Sequence, residues 1–159
     1  MSSAVVDLDA LVLTALTSLG DPTGGEAKPE TSSRERFFEL LVLILGNLYG
    51  KTPVSAALFD RNTLLRVTTG MDDSEAGRLT TRTEDWLRLE GMLRQQDGTK
   101  SYFITRSSLA VLSTITYAGT LGEVFEQILK RYQTAMPNED IRSKTRVLGS
   151  YFLTRVARS

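Results

Sequence analysis

The stretch Thr83-Glu-Asp-Trp86-Leu-Arg88-Leu-Glu-Gly91-Met-Leu93-Arg-Gln-Gln-Asp97-Gly98-Thr-Lys100-Ser-Tyr102-Phe-Ile104-Thr-Arg106 decides the fold class. Its first part continues a helical pattern that begins at the candidate caps Asp72, Asp73 and Ser74 and runs to about Met92. Leu79, Trp86 and Leu93, spaced by sevens, are expected on the inner side of that helix. Gly77 within it costs about 1 kcal/mol relative to Ala. Its second part sets Asp97-Gly98 between the strand-capable runs Leu93–Gln96 and Ser101–Ile104, a strong hairpin signal. This is the only clear β element in the chain.

Upstream, the segment from Arg34 to Tyr49 contains no proline and follows Ser32 and Glu35, which have capping-box spacing. Phe37 to Tyr49 holds ten apolar residues in thirteen, too short a run for a bilayer, which needs roughly 20. A central, buried helix is expected. Thr52-Pro53 reads as the start of a short helix through Leu58, and Asn62 or Thr63 as the start of another through Val67, broken by Thr68-Thr69-Gly70. Farther upstream, Leu8, Leu11, Val12, Leu16 and Leu19 make one helical stripe that stops at Gly20. Gly20 to Ser33 then mixes Gly, Pro, Ser and Thr with charges and has the composition of a solvated linker.

Downstream, Thr105 caps a short helix from Ser107 to Leu112, and Ser113 to Gly119 reads as a turn-rich connection. Thr120 and Glu123 form a second capping box, followed by Leu121, Val124, Phe125, Ile128, Leu129 and Tyr132 at helical spacing. Pro137-Asn138 separates this helix from a last one whose apolar side carries Ile141, Leu148, Tyr151 and Phe152.

The composition narrows the chemistry. In 159 residues, 41% are apolar, and 19 Lys and Arg balance 19 Asp and Glu for a net charge of zero. No overall positive field draws the chain to nucleic acid or anionic lipid, so any such attraction must be local. There is no cysteine and no histidine, which removes disulfides, thiolate and Ser-His-Asp nucleophiles, and the commonest metal ligands. The acid pairs Asp72-Asp73 and Glu139-Asp140 sit at expected helix starts, where capping explains them. Gly24-Gly25 is not followed by Lys-Ser or Lys-Thr, as a phosphate loop requires. A non-enzyme without cofactor or metal is expected. The N-terminus has no basic residue before its apolar stretch, so a soluble, cytoplasmic protein is the expectation.

The phrase Leu89-Glu90-Gly91-Met92-Leu93, an Asp-Gly hairpin and a returning Tyr102-Phe-Ile-Thr105 resembles the winged-helix (winged helix-turn-helix) superfamily. Within it the similarity is to small bacterial regulators of the multiple-antibiotic-resistance and phenolic-acid types. One residue of the usual spacing is missing after Glu90, and Ser107 or Ser108 stands where a glycine is common. The resemblance covers residues 34–113 and implies a mainly α fold: a winged-helix core of helices plus one hairpin wing, with extra N- and C-terminal helices. The expected organisation is an N-terminal helix over 1–19, a linker over 20–33, that core over 34–113, and a C-terminal helical pair over 114–159.

A winged helix needs a helix face for base edges and a basic wing for phosphate. Arg78, Thr81, Arg82, Asp85 and Arg88 lie opposite Leu79, Trp86 and Leu93, and Lys100 sits beside the Asp-Gly tip. Arg78, Thr81, Arg82, Arg88 and Lys100 are thus the expected DNA contacts. From Ala76 to Arg106 there are six basic residues against four acidic, a net of only +2. Two functions stay open: a DNA-binding transcription regulator, and a non-catalytic adaptor that uses the same fold to bind a protein in a larger assembly. Charge is uneven at the ends. Residues 1–33 hold one Lys against five acids, a net of −4, whereas 128–159 hold seven basic residues against two acids, a net of +5. The basic C-terminal helix, with Arg142, Lys144, Arg146, Arg155 and Arg158, either contacts phosphate or pairs with the acidic N-terminus. A homodimer through the N- and C-terminal helices is expected, because the stripe of Val5 to Leu19 needs a cover.

Overall fold

In the computed structural model, which describes residues 33–158 apart from Pro53 and Phe59, the first element is the expected central helix, α1 (Ser33–Lys51). Leu40 to Leu45 are all fully buried, so this stretch is covered on every side. The order continues α2 (Arg61–Val67), α3 (Asp73–Leu89), β1 (Leu93–Gln95), β2 (Tyr102–Ile104), α4 (Arg106–Leu112), β3 (Ile115–Thr116), β4 (Gly119–Thr120), α5 (Leu121–Thr134) and α6 (Glu139–Arg158). The described chain is mainly helical. The N-terminal stripe and the linker up to residue 32 lie outside the described residues.

α5 and α6 pack along α1 at backbone distance. A Cβ at Gly46 would lie 2.6 Å from the Phe125 carbonyl oxygen, one at Gly122 2.5 Å from the Tyr49 ring, and one at Gly149 2.7 Å from the Phe38 carbonyl oxygen. The α5 stripe from Leu121 to Tyr132 is buried as its spacing predicts, under a capping box in which Thr120 and Glu123 exchange hydrogen bonds. Ile141, Leu148, Tyr151 and Phe152 of α6 are buried too. Residues from both sides of position 113 share one hydrophobic cluster.

The hairpin forms as expected, with Leu93 opposite Ile104, Arg94 opposite Phe103 and Gln95 opposite Tyr102. Gly98 takes a φ of +72° at its turn. Three expectations are corrected. Among the described residues no helix follows Thr52; the chain turns, with Val54 N–H donating to the Lys51 carbonyl, and Ala56 and Tyr102 then exchange both backbone hydrogen bonds at 3.0 and 2.8 Å. The Thr52 hydroxyl turns back to the Leu48 carbonyl, and Asn47 donates to the Ala57 carbonyl at 2.7 Å, so side chains satisfy groups that a helix would have paired internally.

The second correction concerns α3. It ends at Leu89 rather than Met92, because Gly91 at φ +76° closes a Schellman motif. Met92 N–H donates to the Leu87 carbonyl and Gly91 N–H to the Arg88 carbonyl. Leu93 therefore leaves the helix, and the buried stripe is Leu79, Thr83 and Leu87, while Trp86 is 38% exposed. Thr83 is tolerated there by donating to the Leu79 carbonyl at 2.7 Å. The third is a second hairpin, β3 with β4, where a connection was expected. The Thr116 hydroxyl shapes its turn by accepting from Ala118 N–H and donating to the Gly119 carbonyl.

Candidate nucleic-acid interface

Arginines fasten α2, the helix just before the one that carries the candidate face. Arg36 of α1 donates to the Thr69 carbonyl at 2.8 Å and Arg142 of α6 to the Val67 carbonyl at 3.2 Å, at the end of α2 where unpaired carbonyls concentrate negative potential. Arg66 reaches from α2 to the Tyr132 and Gln133 carbonyls at 2.6 and 2.8 Å. Behind this clamp, the fully buried Glu39 accepts from Arg142 at 2.9 Å, from Arg146 at 3.1 Å and from the Tyr132 hydroxyl at 2.6 Å. Glu139 takes a second nitrogen of Arg146 at 3.0 Å. Burial first, and then the neighbouring Glu39 carboxylate, push the Tyr132 hydroxyl well above its ordinary pKa. Desolvation pulls Arg142 down, but its bonds to Glu39 outweigh this and hold it above the usual value.

This cluster and its neighbourhood engage three of the five basic residues that α6 was expected to offer to phosphate or to the acidic N-terminus, while Arg155 stays exposed. Arg142 and Arg146 are engaged inside the protein, and Lys144 pairs with Asp140 at 2.8 Å. Sequence reasoning saw the basic run but missed its partner. Glu39 stands alone within an apolar stretch, and an unaccompanied acid in a buried helix is itself a signal that cations converge on it.

α3 begins on the expected cap, Asp72, whose carboxylate accepts from Glu75 N–H at 2.8 Å. Hydrogen bonds from the Glu75 backbone hold that carboxyl below its usual pKa. The helix exposes Arg78, Thr81, Arg82 and Arg88 on its outer side. Arg78, Thr81 and Arg82 have no hydrogen-bond or ion-pair partner among the described residues. Arg88 differs: it pairs with Asp85 at 2.9 Å and donates to Gln95 at 3.2 Å, and Gln95 donates onward to the Thr99 carbonyl at 2.7 Å. Arg88 thus braces the hairpin loop against α3. Lys100 is exposed on that loop.

The hairpin contributes two features that the expected contact set lacked. The Arg94 guanidinium lies 5.2 Å from the Phe103 ring centroid, and these residues line a shallow cleft with Thr52, Val54 and Ile104. On the inner side, the buried Tyr102 hydroxyl bonds to Glu84 of α3, and burial followed by that carboxylate pushes its pKa up to about 12. Tyr102 belongs to the core. Trp86 is only half so, resting edge-on against Phe37 at 5.3 Å.

Chemically, the arrangement offers separated cations on a rigid helix and a neighbouring loop. Among the described residues no group of three or more Asp and Glu side chains is placed to hold a metal ion, and no helix is long and apolar enough to cross a membrane. No family model, no curated protein and no solved structure matches the chain.

Proposed function

We propose that this chain is a DNA-binding winged-helix protein that acts as a cytoplasmic transcription regulator. The observation that carries the reading is the outer side of α3, where Arg78, Thr81 and Arg82 stand exposed, with no hydrogen bond or ion pair among the described residues, beside a hairpin bearing Lys100. The Ala56–Tyr102 bridge supports it, since it ties the segment between α1 and α2 to the wing and joins the helices and hairpin into one unit. In this reading Arg78 and Arg82 meet base edges or phosphate in the major groove, Thr81 adds a hydroxyl contact, and Lys100 meets phosphate. Arg88 serves chiefly by holding the wing. Two copies, bound as a homodimer, would present two such helices to successive half-sites.

Titration of the wild-type protein against random and genomic duplexes at low salt tests the proposal. Binding is expected, and Arg78→Ala or Arg82→Ala weakens specific sites by about 1–3 kcal/mol where the side chain is bidentate to guanine. Lys100→Ala weakens all sequences alike and lowers the salt slope by about one unit. A second reading, a protein-binding adaptor, is favoured by Ile115 and Tyr117, which are 74% and 78% exposed on the second hairpin. Absence of duplex binding at tens of micromolar transfers the function to it.

A further inference from the structure

A cleft of about 160 Å³ lies between the C-terminal half of α1 and α5. A cavity of about 150 Å³ holds benzene, so this one admits a molecule of about six heavy atoms. Glu126 of α5 lines it, with its carboxylate laid against Gly50 of α1: a Cβ at Gly50 would come 2.5 Å from Oε2, so the glycine leaves the space that the carboxylate fills. Glu126 is half-buried and makes no hydrogen bond or ion pair among the described residues; Lys130 and Lys51 act on it only through space. Burial holds its carboxyl above the ordinary pKa, the two lysines offset this only in part, and Glu123 adds to it. We propose that the cleft binds a small free amino acid, with the ligand's ammonium on Glu126 and its carboxylate between Lys51 and Lys130.

Three features select a zwitterion. First, a carboxylate taken partly out of water without a donor is costly, and an arriving ammonium supplies the donors it lacks. Second, both signs of charge line one small space. Lys51 and Lys130 are exposed at the same cleft, Lys51 steadied by donating to Asn47 Oδ1 at 3.1 Å, and Lys130 one helical turn beyond Glu126. An anion alone would face Glu126 and a cation alone would face two ammonium groups, so a molecule carrying both charges is the one that leaves neither uncompensated. Third, the walls are set before a ligand arrives. Asn47 donates to the Ala57 carbonyl at 2.7 Å and Gln133 to Asp60 at 3.1 Å, while the buried Leu129 offers an apolar surface to the ligand's carbon frame. The cleft uses α1 and α5 and none of the α3 or hairpin residues assigned to DNA, so the proposal stands apart from the DNA-binding reading.

Proton–nitrogen NMR titration of the full-length chain, without DNA, tests it. Glycine, β-alanine and γ-aminobutyrate hold the two charges at increasing separation, and acetate and ethylammonium carry one charge each. At least one of the three zwitterions is expected to bind in the millimolar range or more tightly, about tenfold or more better than either single-charge compound, and to shift the amide signals of Gly46, Gly50 and Lys130. Glu126→Gln keeps the shape and removes the charge, and is expected to weaken that binding by about tenfold or more. Its melting temperature is expected to equal or exceed that of the wild type, because an uncompensated, half-buried charge is gone. Lys130→Met, at an exposed position, is expected to weaken binding severalfold, and it decides the matter should Glu126→Gln fail to fold. Zwitterions that bind no better than acetate or ethylammonium overturn the proposal, and so does wild-type affinity in a folded Glu126→Gln or in Lys130→Met.

Discussion

Glu39 is the buried acid on which Arg142, Arg146 and Tyr132 converge. Desolvating it is offset only while Arg142, Arg146 and Tyr132 all reach it, so removing the carboxylate strands two guanidinium groups in the interior. Glu39→Ala is expected to destabilise the fold by about 3–5 kcal/mol in denaturant titrations. The buried Nη2 of Arg146 has no hydrogen-bond partner, so the pair has little spare capacity to reorganise. Gly77 is the opposite case. A Cβ there meets nothing within 4 Å on an exposed helical turn, so Gly77→Ala is expected to stabilise by about 0.5–1 kcal/mol in the same assay. Its cost was readable in the sequence, since propensity is local. The isolation of Glu39 in an apolar run was readable too, but the identity of its partners was not, because they lie more than 90 residues away.

Among the elements, legibility followed the range of the deciding interaction. The α5 capping box, the Asp72 cap and the Asp97-Gly98 hairpin are each settled within a few residues, and each stands where it was expected. The bridged segment around Ala56 depends on Tyr102, 46 residues away in sequence numbering, and no local pattern announces it. The inner face of α3 was misjudged because sevenfold spacing assumed a helix through Leu93, whereas Gly91 ends it. The candidate contacts are surface residues, so the sequence could place them on an outer face without saying what they touch. Arg88, turned to Asp85 and Gln95, shows the difference. Helix approach gives an element-scale prediction. Gly46→Ala drives a methyl into the Phe125 backbone and is expected to cost about 1–3 kcal/mol by forcing α1 and α5 apart, measurable as a lowered melting temperature.

For the whole molecule, the ionisable groups set a pH profile with a wide plateau. Tyr102 and Tyr132 have pKa values raised on folding, so their contribution is complete below the unfolded value of about 10 and is lost as pH rises through the folded values. Asp60 is pulled up by partial burial but held lower overall by bonds from Thr63 and Gln133, and hydrogen bonds from Thr120 lower Glu123. These contributions are present above the unfolded carboxyl range near 4 and disappear as pH falls below it. Glu126, raised by burial, acts in the opposite sense on the acid side. With no histidine in the chain, the denaturant midpoint is expected to be nearly flat from about pH 6 to about 9. Tyr102→Phe should weaken the alkaline slope, and a slope unchanged by it would place the titrating group elsewhere.

The total burial of Leu40 to Leu45 has a consequence for the unfolded chain. Released from α1, Leu-Leu-Val-Leu-Ile-Leu is an uncharged, proline-free run of six residues suited to cross-β stacking between molecules. A chain of zero net charge offers little colloidal repulsion to keep such segments apart. Heating is therefore expected to end in aggregation rather than refolding, with an apparent melting temperature that climbs with scan rate. The lone acid beside the run, Glu39, is buried as a structural anchor in the folded state and becomes a gatekeeper against fibres in the unfolded one.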